Sequence, residues 1–331
     1  MISESIKNGV IFGCEGPRLS EVEFDFFKET LPFGFILFSR NIVNSKQVIE
    51  LCQSLRDAVG WHAPILIDQE GGRVQRIRPP LALDRLPPLD EAQKAGQKAK
   101  SVFKIRFSSI ANELLSLGID FNCAPVLDIA RPTTHRFLRN RCYGVNKSDV
   151  ISLGRVAYDA LKSNGVFPII KHMPGHGFAS LDSHFELPVV KASKKELLTN
   201  DFAVFRAFCD AEIAMSAHVL FEAIDPYSAA STSKKLVDII RNDIKFSGLL
   251  LSDDISMAAL PGNIKKRTTN LIEAGNDVIL HCNGKLFEMK EIIESGVAPN
   301  TLTLSRMSSV IEERKKIEHT KIENLESSQS S

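Results

Sequence analysis

Eight short apolar runs recur along the chain, and each is followed by a longer segment in which apolar positions return with a helical period. A run of four to eight mostly apolar residues is typical of a strand that is buried on both faces. Eight such strands alternating with helices predict an α/β protein, and they favour a single (β/α)8 barrel of the TIM type over an open sheet. The runs are GVIFGC from Gly9, GFILF from Gly34, ILID from Ile65, FNCAPV from Phe121, FPIIKH from Phe167, EIAMSAHV from Glu212, GLLLSD from Gly248 and DVILHC from Asp277. The segments predicted as helices include 45–58, 147–164, 194–210 and 233–242.

Polar or charged residues follow seven of these runs. In a (β/α)8 barrel the carboxyl ends of the strands meet on one face, and enzymes with this fold keep their active sites there. We therefore expect these side chains to share one site. They are Arg40, Asn41, Asp68, Asp128, Lys171, His172, His218, Asp253 and Asn283.

Charge and composition exclude several classes of protein. The 331 residues carry 41 Lys and Arg against 40 Asp and Glu, which argues against a broad charged surface for nucleic acid or an anionic membrane. No apolar run approaches the roughly 18 residues of a membrane span, and the apolar patch at residues 10–12 is too short for a signal-peptide core. Six scattered cysteines without a C-x-x-C pair favour buried free thiols. We therefore expect a cytoplasmic protein.

The end of the chain differs in composition from the rest. After about Met307 the sequence has few apolar residues, and it finishes in Ser and Gln. We predict one catalytic domain over residues 1–310 and a last helix end that frays into a tail over residues 311–331.

The densest group of chemically active side chains lies in IIKHMPGHGFASLDSHFELP, residues 169–188. His172 and His176 are spaced i, i+4, but a helical H-E-x-x-H metal site needs a Glu and an unbroken helix, and Met-Pro-Gly interrupts this one. We therefore expect no metal; His172 is predicted to orient a neighbour, and His176 to be satisfied by the backbone. Asp182 and His184 favour acid/base chemistry, because a carboxylate fixes the tautomer of an imidazole and raises its basicity.

Two adjacent carboxylates end the predicted strand in FSGLLLSDDISM. The side chains of Asp253 and Asp254 should point to opposite sides of that strand. We expect one of them to face the barrel mouth as a nucleophile, base or ligand, and the other to cap the following helix.

A third cluster, ILIDQEGGRVQRI, places Asp68 at a strand end before a Gly-Gly turn. The turn lacks the glycine and lysine pattern of a phosphate-binding loop. Arg73 and Arg76 follow this turn. One interpretation is that these two arginines form structural ion pairs with Asp68 or Glu70.

Five of these motifs, taken together, resemble a known family. LFSRN, LIDQEGGRVQR, KHMPGHG-x4-DSH, MSAHV and LSDDISM are similar to motifs of the family 3 glycoside hydrolases. Within that family they resemble the bacterial exo-β-N-acetylglucosaminidases of peptidoglycan recycling. The resemblance covers about residues 13–282, and it implies a single barrel that removes terminal GlcNAc with retained configuration.

The resemblance also implies roles for individual residues. Asp253 would be the nucleophile, and His184 would be the general acid/base paired with Asp182. A further substrate arginine would be Arg141 in NRCYG, although the surrounding motif departs from the family and Arg136 and Arg139 lie nearby. The residues implied to hold the sugar hydroxyls are Asp68, Arg76, Lys171 and His172.

The expected enzyme is a monomer that acts on a small carbohydrate without a cofactor. Two alternatives stay open, a family 3 β-glucosidase-like enzyme of other specificity and a non-catalytic barrel that binds muropeptides. Because the implied acid/base lies on a loop, we expect residues 173–184 to be disordered without substrate, or to hold His184 away from Asp253.

Overall fold

The computed structural model describes residues 5–183 and 186–329, except for the side chains of residues 318–329. All eight predicted runs are strands of one parallel sheet, so the predicted barrel is confirmed. The strands are β1 (Asn8–Gly13), β2 (Pro32–Leu37), β3 (Ile65–Ile67), β4 (Gln69–Gly71), β5 (Val74–Gln75), β6 (Phe121–Asn122), β7 (Phe167–Pro168), β8 (Ile170–Met173), β9 (Val189–Val190), β10 (Ile213–Ser216), β11 (Leu220–Phe221), β12 (Leu249–Asp254) and β13 (Val278–His281).

The main sheet is a nearly closed barrel. Among the described residues it has nine strands in the order β7-β6-β3-β2-β1-β13-β12-β10-β8. Its two end strands, β7 and β8, belong to the same apolar run and are separated only by Ile169. This run pairs with β6 through β7 and with β10 through β8. It therefore joins the two edges of the sheet, and the sheet curves back on itself. The short pairs β4-β5 and β9-β11 lie outside this barrel.

Helices alternate with the strands as the pattern predicts, and several carry side-chain caps. Ser20 and Glu23 form a capping box at the first helix, and Asn44, Asn146 and Asn263 cap later ones. The α-helices are α1 (Glu21–Thr30), α2 (Ser45–Val59), α3 (Pro88–Ala95), α4 (Ala99–Leu115), α5 (Arg136–Arg139), α6 (Lys147–Ser163), α7 (Lys194–Thr199), α8 (Asp201–Arg206), α9 (Lys234–Asn242), α10 (Ile264–Ala274), α11 (Leu286–Glu294) and α12 (Thr301–Gln329). Short 3₁₀ turns occupy Ser39–Asn41, Gly96–Lys98 and Ala230–Thr232.

One predicted helix is wrong in its length. The segment 194–210 forms two short helices, α7 and α8, because Asn200 between them has φ −114° and ψ −85°, outside the helical region. The break places Asp201 at the start of α8 with its side chain buried.

The last helix closes the amino-terminal end of the barrel. Met307, Val310 and Ile311 of α12 join the apolar cluster that fills the barrel interior. Arg314 of the same helix donates to Asp120 Oδ2 at 3.0 Å, and Arg56 of α2 lies 3.2 Å from that oxygen. Since Asp120 precedes β6, this charge cluster ties α12 and α2 to the base of the sheet.

The part of the chain that the structure describes contains no helix that is both long and apolar enough to span a membrane. All six cysteines are free, and five of them are buried, as we predicted.

Replacing Asp120 with Asn should lower the free energy of unfolding by about 3–5 kcal/mol, because it leaves two buried guanidinium groups without their carboxylate. Asp210, which pairs with Arg155 at an exposed site, is the matched control, and its replacement by Asn should lower stability by less than about 1 kcal/mol. Urea unfolding of both variants measures the difference. Equal small losses would contradict a stabilising role for the Asp120 cluster.

Candidate active site

A cavity of about 200 Å³ opens at the carboxyl ends of the barrel strands. Its walls come from several strand ends. Of the nine polar residues expected to share one site, Asp68, Lys171, His172 and Asp253 line this cavity, whereas Arg40, Asn41, Asp128, His218 and Asn283 do not. The lining side chains that carry polar atoms are Asp68, Arg73, Arg76, Arg141, Lys171, His172, Ser183, Asp253 and Asp254, with the thiol of Cys282. The apolar lining comes from Ile36, Phe38, Val74, Phe137, Met215, Met257 and Leu280.

Two carboxylates and three cations form one connected cluster in the wall of this cavity, where Glu70 is fully buried and the other four groups line the cavity. Lys171 Nζ lies 2.7 Å from Asp68 Oδ1 and 2.6 Å from Glu70 Oε1. Arg76 donates to the other oxygen of Asp68 at 3.0 Å. Arg141 donates to both oxygens of Glu70, each at 2.9 Å. The cluster joins β4, β8 and the segment after α5.

The charges of this cluster stabilise one another. Burial alone would raise the pKa values of Asp68 and Glu70, but the neighbouring cations hold both pKa values below their usual range. Burial would likewise lower the pKa values of Lys171 and Arg141, and the two carboxylates instead raise them. All four groups are therefore charged at neutral pH.

A second hydrogen-bonded group lies behind the cavity wall and orients His172, which lines the cavity. Its Nδ1 lies 2.7 Å from Asp128 Oδ2, and its Nε2 faces Arg141 Nη2 at 3.5 Å. The other oxygen of Asp128 accepts from the backbone N–H of His176 at 2.6 Å. Burial lowers the pKa of His176 to about 4, and the nearby His172 is the second cause of this shift. The ring of His176 is therefore neutral at neutral pH. Its Nε2 lies 3.3 Å from Ser183 Oγ, so the ring contacts a side chain where we predicted the backbone.

Asp253 and Asp254 both line the cavity, but their surroundings differ. Asp254 accepts from the backbone N–H and the hydroxyl of Ser256 and from the backbone N–H of Cys282. It therefore caps a turn, where we predicted a helix cap, because the next helix begins only at Ile264. Asp253 Oδ1 accepts from the N–H of Asp254 at 2.8 Å.

The loop after β8 is packed over most of its described length. Residues 173–177 are buried, and Ala179 is fully buried, whereas Ser180 and Leu181 are exposed and Asp182 is half-buried. The first half of the loop is therefore packed, which leaves the other form of the prediction, that the loop holds His184 away from Asp253. His184 lies outside the described residues, so its distance from Asp253 stays a prediction.

Most of the residues implied by the sequence meet in this cavity. Asp68, Arg76, Arg141, Lys171, His172 and Asp253 line it together, and the neighbouring candidates Arg136 and Arg139 do not. Arg76 forms the ion pair with Asp68 that the alternative interpretation predicted, and it lines the cavity as well. Arg73 is exposed at the mouth and faces the ring of Phe137 at 5.7 Å.

Sequence reasoning missed the central role of Glu70 and the contacts of Asp128. Glu70 is fully buried between Arg141 and Lys171, and Asp128 is fully buried between two histidines. A fully buried carboxylate requires paired charges, but its partners here are distant in sequence. Within the described residues, no three His, Cys, Asp or Glu side chains are grouped to hold a metal ion.

Comparisons with known proteins show which family this chain and its fold are similar to. The sequence matches the Glycosyl hydrolase family 3 N terminal domain over residues 17–312. It is 34% identical over 284 residues to a protein named Beta-hexosaminidase from Psychromonas ingrahamii, which covers 83% of each chain. The structure matches NagZ from Neisseria gonorrhoeae in complex with N-trifluoroacetyl-D-glucosamine, with TM-score 0.83, 30% identity and coverage of 92% of this chain and 90% of that one. It also matches a family 3 β-N-acetylglucosaminidase from Paenibacillus sp. with TM-score 0.86 and 26% identity, covering 95% of this chain and 63% of that one.

Stability should fall steeply once the pH drops below about 4. Asp68, Glu70 and Asp128 have folded-state pKa values below the unfolded values of about 4, so their contribution is present above that pH and is lost as they are protonated. Burial raises the pKa of Asp201 to about 6, which acts in the opposite direction between pH 6 and 4.

Urea unfolding at pH 7, 5, 4 and 3 measures this dependence. Replacing Asp68 with Asn removes one titrating group, so the slope below pH 4 should be lower by up to about 1.4 kcal/mol per pH unit. A wild-type stability that stays constant from pH 5 to pH 3 would be inconsistent with the ionised cluster.

Proposed function

The chain belongs to glycosyl hydrolase family 3 and is a glycosidase of the β-hexosaminidase type, and we propose that it is a retaining exo-β-N-acetylglucosaminidase that acts on peptidoglycan fragments. The observation that carries this proposal is the position of Asp253 in a cavity whose other walls hold ionised groups suited to sugar hydroxyls. The preferred substrate is GlcNAc joined to a 1,6-anhydro-muramyl peptide.

The terminal GlcNAc is bound by the charge cluster. Asp68 is held ionised by two cations, and an ionised carboxylate accepts strong hydrogen bonds from hydroxyl groups. Lys171, Arg76 and Arg141 donate to the sugar oxygens, and His172 is oriented for that task by Asp128. These groups are fixed by one another before substrate arrives, which reduces the entropy lost on binding.

The reaction proceeds in two displacements. The carboxylate of Asp253 attacks the anomeric carbon while His184 donates a proton to the departing glycosidic oxygen, so the bond to the aglycone breaks as the ester bond to Asp253 forms. Neutral His184 then takes a proton from water, whose oxygen attacks the anomeric carbon and releases Asp253. Two inversions leave the product with the configuration of the substrate. Asp182 keeps His184 in the required tautomer.

Asp254 is the less suitable nucleophile of the adjacent pair. Its two oxygens accept hydrogen bonds from Ser256 and from the backbone of Cys282, and these bonds hold the turn at the end of β12. A carboxylate fixed in this way is poorly placed to approach an anomeric carbon.

Hydrolysis of p-nitrophenyl β-GlcNAc tests the activity, with p-nitrophenyl β-glucoside as the control for the β-glucosidase alternative. The GlcNAc substrate should be strongly preferred, and NMR should show the β-anomer as the first product. Digestion of defined muropeptides followed by mass spectrometry should release GlcNAc and leave the anhydro-muramyl peptide. Complete absence of turnover would instead favour a barrel that only binds muropeptides.

We place the enzyme in the cytoplasm as a monomer that needs no cofactor. Five of its six free cysteines are buried, which suits a reducing compartment. Measuring the mass in solution by light scattering and the activity after exhaustive dialysis against a chelator tests the last two points.

Replacing Asp253 with Asn should lower kcat by at least about 10³-fold, because the nucleophile is lost. Binding of GlcNAc, measured by calorimetry, should persist, since it depends mainly on the charge cluster. Asp254→Asn is the matched control and should retain activity within about 10-fold of wild type. The reverse order of activities would show that the wrong member of the pair was chosen.

Replacing Asp182 with Asn should lower kcat/KM by roughly 10²–10⁴-fold for substrates with poor leaving groups, the usual contribution of general acid–base catalysis. The loss should be much smaller for dinitrophenyl β-GlcNAc, because that leaving group needs little protonation. His184→Ala should show the same dependence on leaving group. An equal loss across leaving groups in the first step would mean that the dyad holds structure or substrate.

A further inference from the structure

The loop that carries Asp182 rests on an arginine outside the cavity. The guanidinium of Arg131 donates to both oxygens of Asp201, at 2.9 and 2.6 Å. The same guanidinium lies over the ring of Phe178, with 3.6 Å between the guanidinium carbon and the ring centre. We call these three residues the clamp. Arg131 follows the β6 run and Asp201 begins α8, so the clamp joins two parts of the barrel rim to the loop.

The backbone of the loop lies directly against the clamp. A Cβ atom on Gly175 would lie 2.7 Å from Cβ of Asp201, closer than carbon atoms approach. A Cβ atom on Gly177 would overlap the carbonyl oxygen of Ile129 and lie 2.7 Å from Arg131 Nη1. Both glycines are therefore needed for the loop to sit this close.

Hydrogen bonds extend this contact to Ala179. Thr134 donates its hydroxyl to the carbonyl of Gly177, and the backbone N–H of His135 donates to the carbonyl of Ala179 at 2.9 Å. Beyond that point Ser180 is exposed, and Asp182 follows two residues later. Asp182 thus follows, by three residues, a part of the loop that is held against the barrel rim.

We propose that Arg131 is a positioning residue: through its contacts with Asp201 and Phe178 it sets where the loop leaves the barrel, and so where Asp182 and His184 stand relative to Asp253. This proposal rests on the proposed function, in which that dyad is the acid/base. Arg131 is not among the residues that line the cavity, so within the described structure it acts through the loop. A displacement of about 1 Å in a catalytic group can lower the rate by about 10²-fold.

The alternative is that the clamp only stabilises the fold. The two roles differ in one measurable respect, since a misplaced acid slows poor leaving groups far more than good ones. A loss of stability that spares the active site would leave the ratio of rates for the two kinds of substrate unchanged.

A second arginine of the chain provides a matched control. Arg155 donates to both oxygens of Asp210 at 3.0 and 2.8 Å, and its guanidinium lies 4.3 Å from the ring centre of Phe208. This arrangement has the same chemistry as the clamp, but it lies on α6 outside the residues that line the cavity.

The test compares Arg131→Met and Arg131→Lys with Arg155→Met. The first-step rate is measured for dinitrophenyl β-GlcNAc and for a substrate with a poor leaving group, such as chitobiose. Arg131→Met should lose roughly 10²-fold on chitobiose and less than about 3-fold on the dinitrophenyl substrate. Arg131→Lys should recover part of the loss, because it keeps a cation beside Asp201. Arg155→Met should change neither rate by more than about 2-fold.

Phe178→Leu provides a second variant in case Arg131→Met does not fold. It removes the ring but keeps the ion pair, and the chitobiose rate should fall about 5- to 10-fold with little change for the dinitrophenyl substrate. An equal loss on both substrates, or none on chitobiose, would overturn the positioning role. His184→Ala in the same assay distinguishes a failure of the positioning role from a failure of the proposed function. If the loss in His184→Ala does not depend on the leaving group, or if the wild-type enzyme turns over neither substrate, the proposed function itself is wrong.

Discussion

The paired burial of charge at the barrel mouth is the constraint on which the rest of the site depends. Glu70 is completely buried, and it is tolerated there only because Arg141 and Lys171 contact it directly. Lys171 in turn holds Asp68, which Arg76 also contacts. Because each charge is fixed by an opposite one, the cavity presents a rigid set of donors and acceptors. Three cations face these two carboxylates, and the side chains of Asp253 and Asp254 line the same cavity.

The barrel separates the groups that maintain the fold from those that bind substrate. At the amino-terminal end, α12 inserts apolar residues into the barrel interior, and its Arg314 pairs with Asp120. The cavity with its cluster of charges occupies the opposite end. Strands that are buried on both faces connect the two ends and hold both clusters at a constant separation. Changes at the base of the barrel should therefore affect stability more than chemistry, and changes at the mouth can affect both.

The acid/base pair of the proposed mechanism is supported differently from the nucleophile. Asp253 ends a strand of the barrel, so its position follows from the sheet itself. Asp182 lies on the loop after β8, outside the strands of the barrel. A proton donor on a loop can adjust to aglycones of different size, whereas the residue that forms the covalent bond stays fixed. In the proposed mechanism, the clamp around Arg131 keeps the first part of the loop fixed against the barrel while the acid/base pair moves.

The sequence by itself determined the eight strands, the carboxyl-terminal face on which the site lies, and most of the charged residues that line the cavity. The strands and the face depend on local periodicity and on position at a strand end, which a single sequence records directly, whereas Arg76 and Arg141 were implied by the resemblance to family 3. Only the tertiary structure decided that Glu70 pairs with Arg141, 71 residues away, and that Arg131 pairs with Asp201, 70 residues away. It also decided that Asn200 divides a predicted helix and that Asp254 caps a turn. The partner of a buried charge is chosen by the way distant segments pack, and no pattern of neighbouring residues specifies that packing.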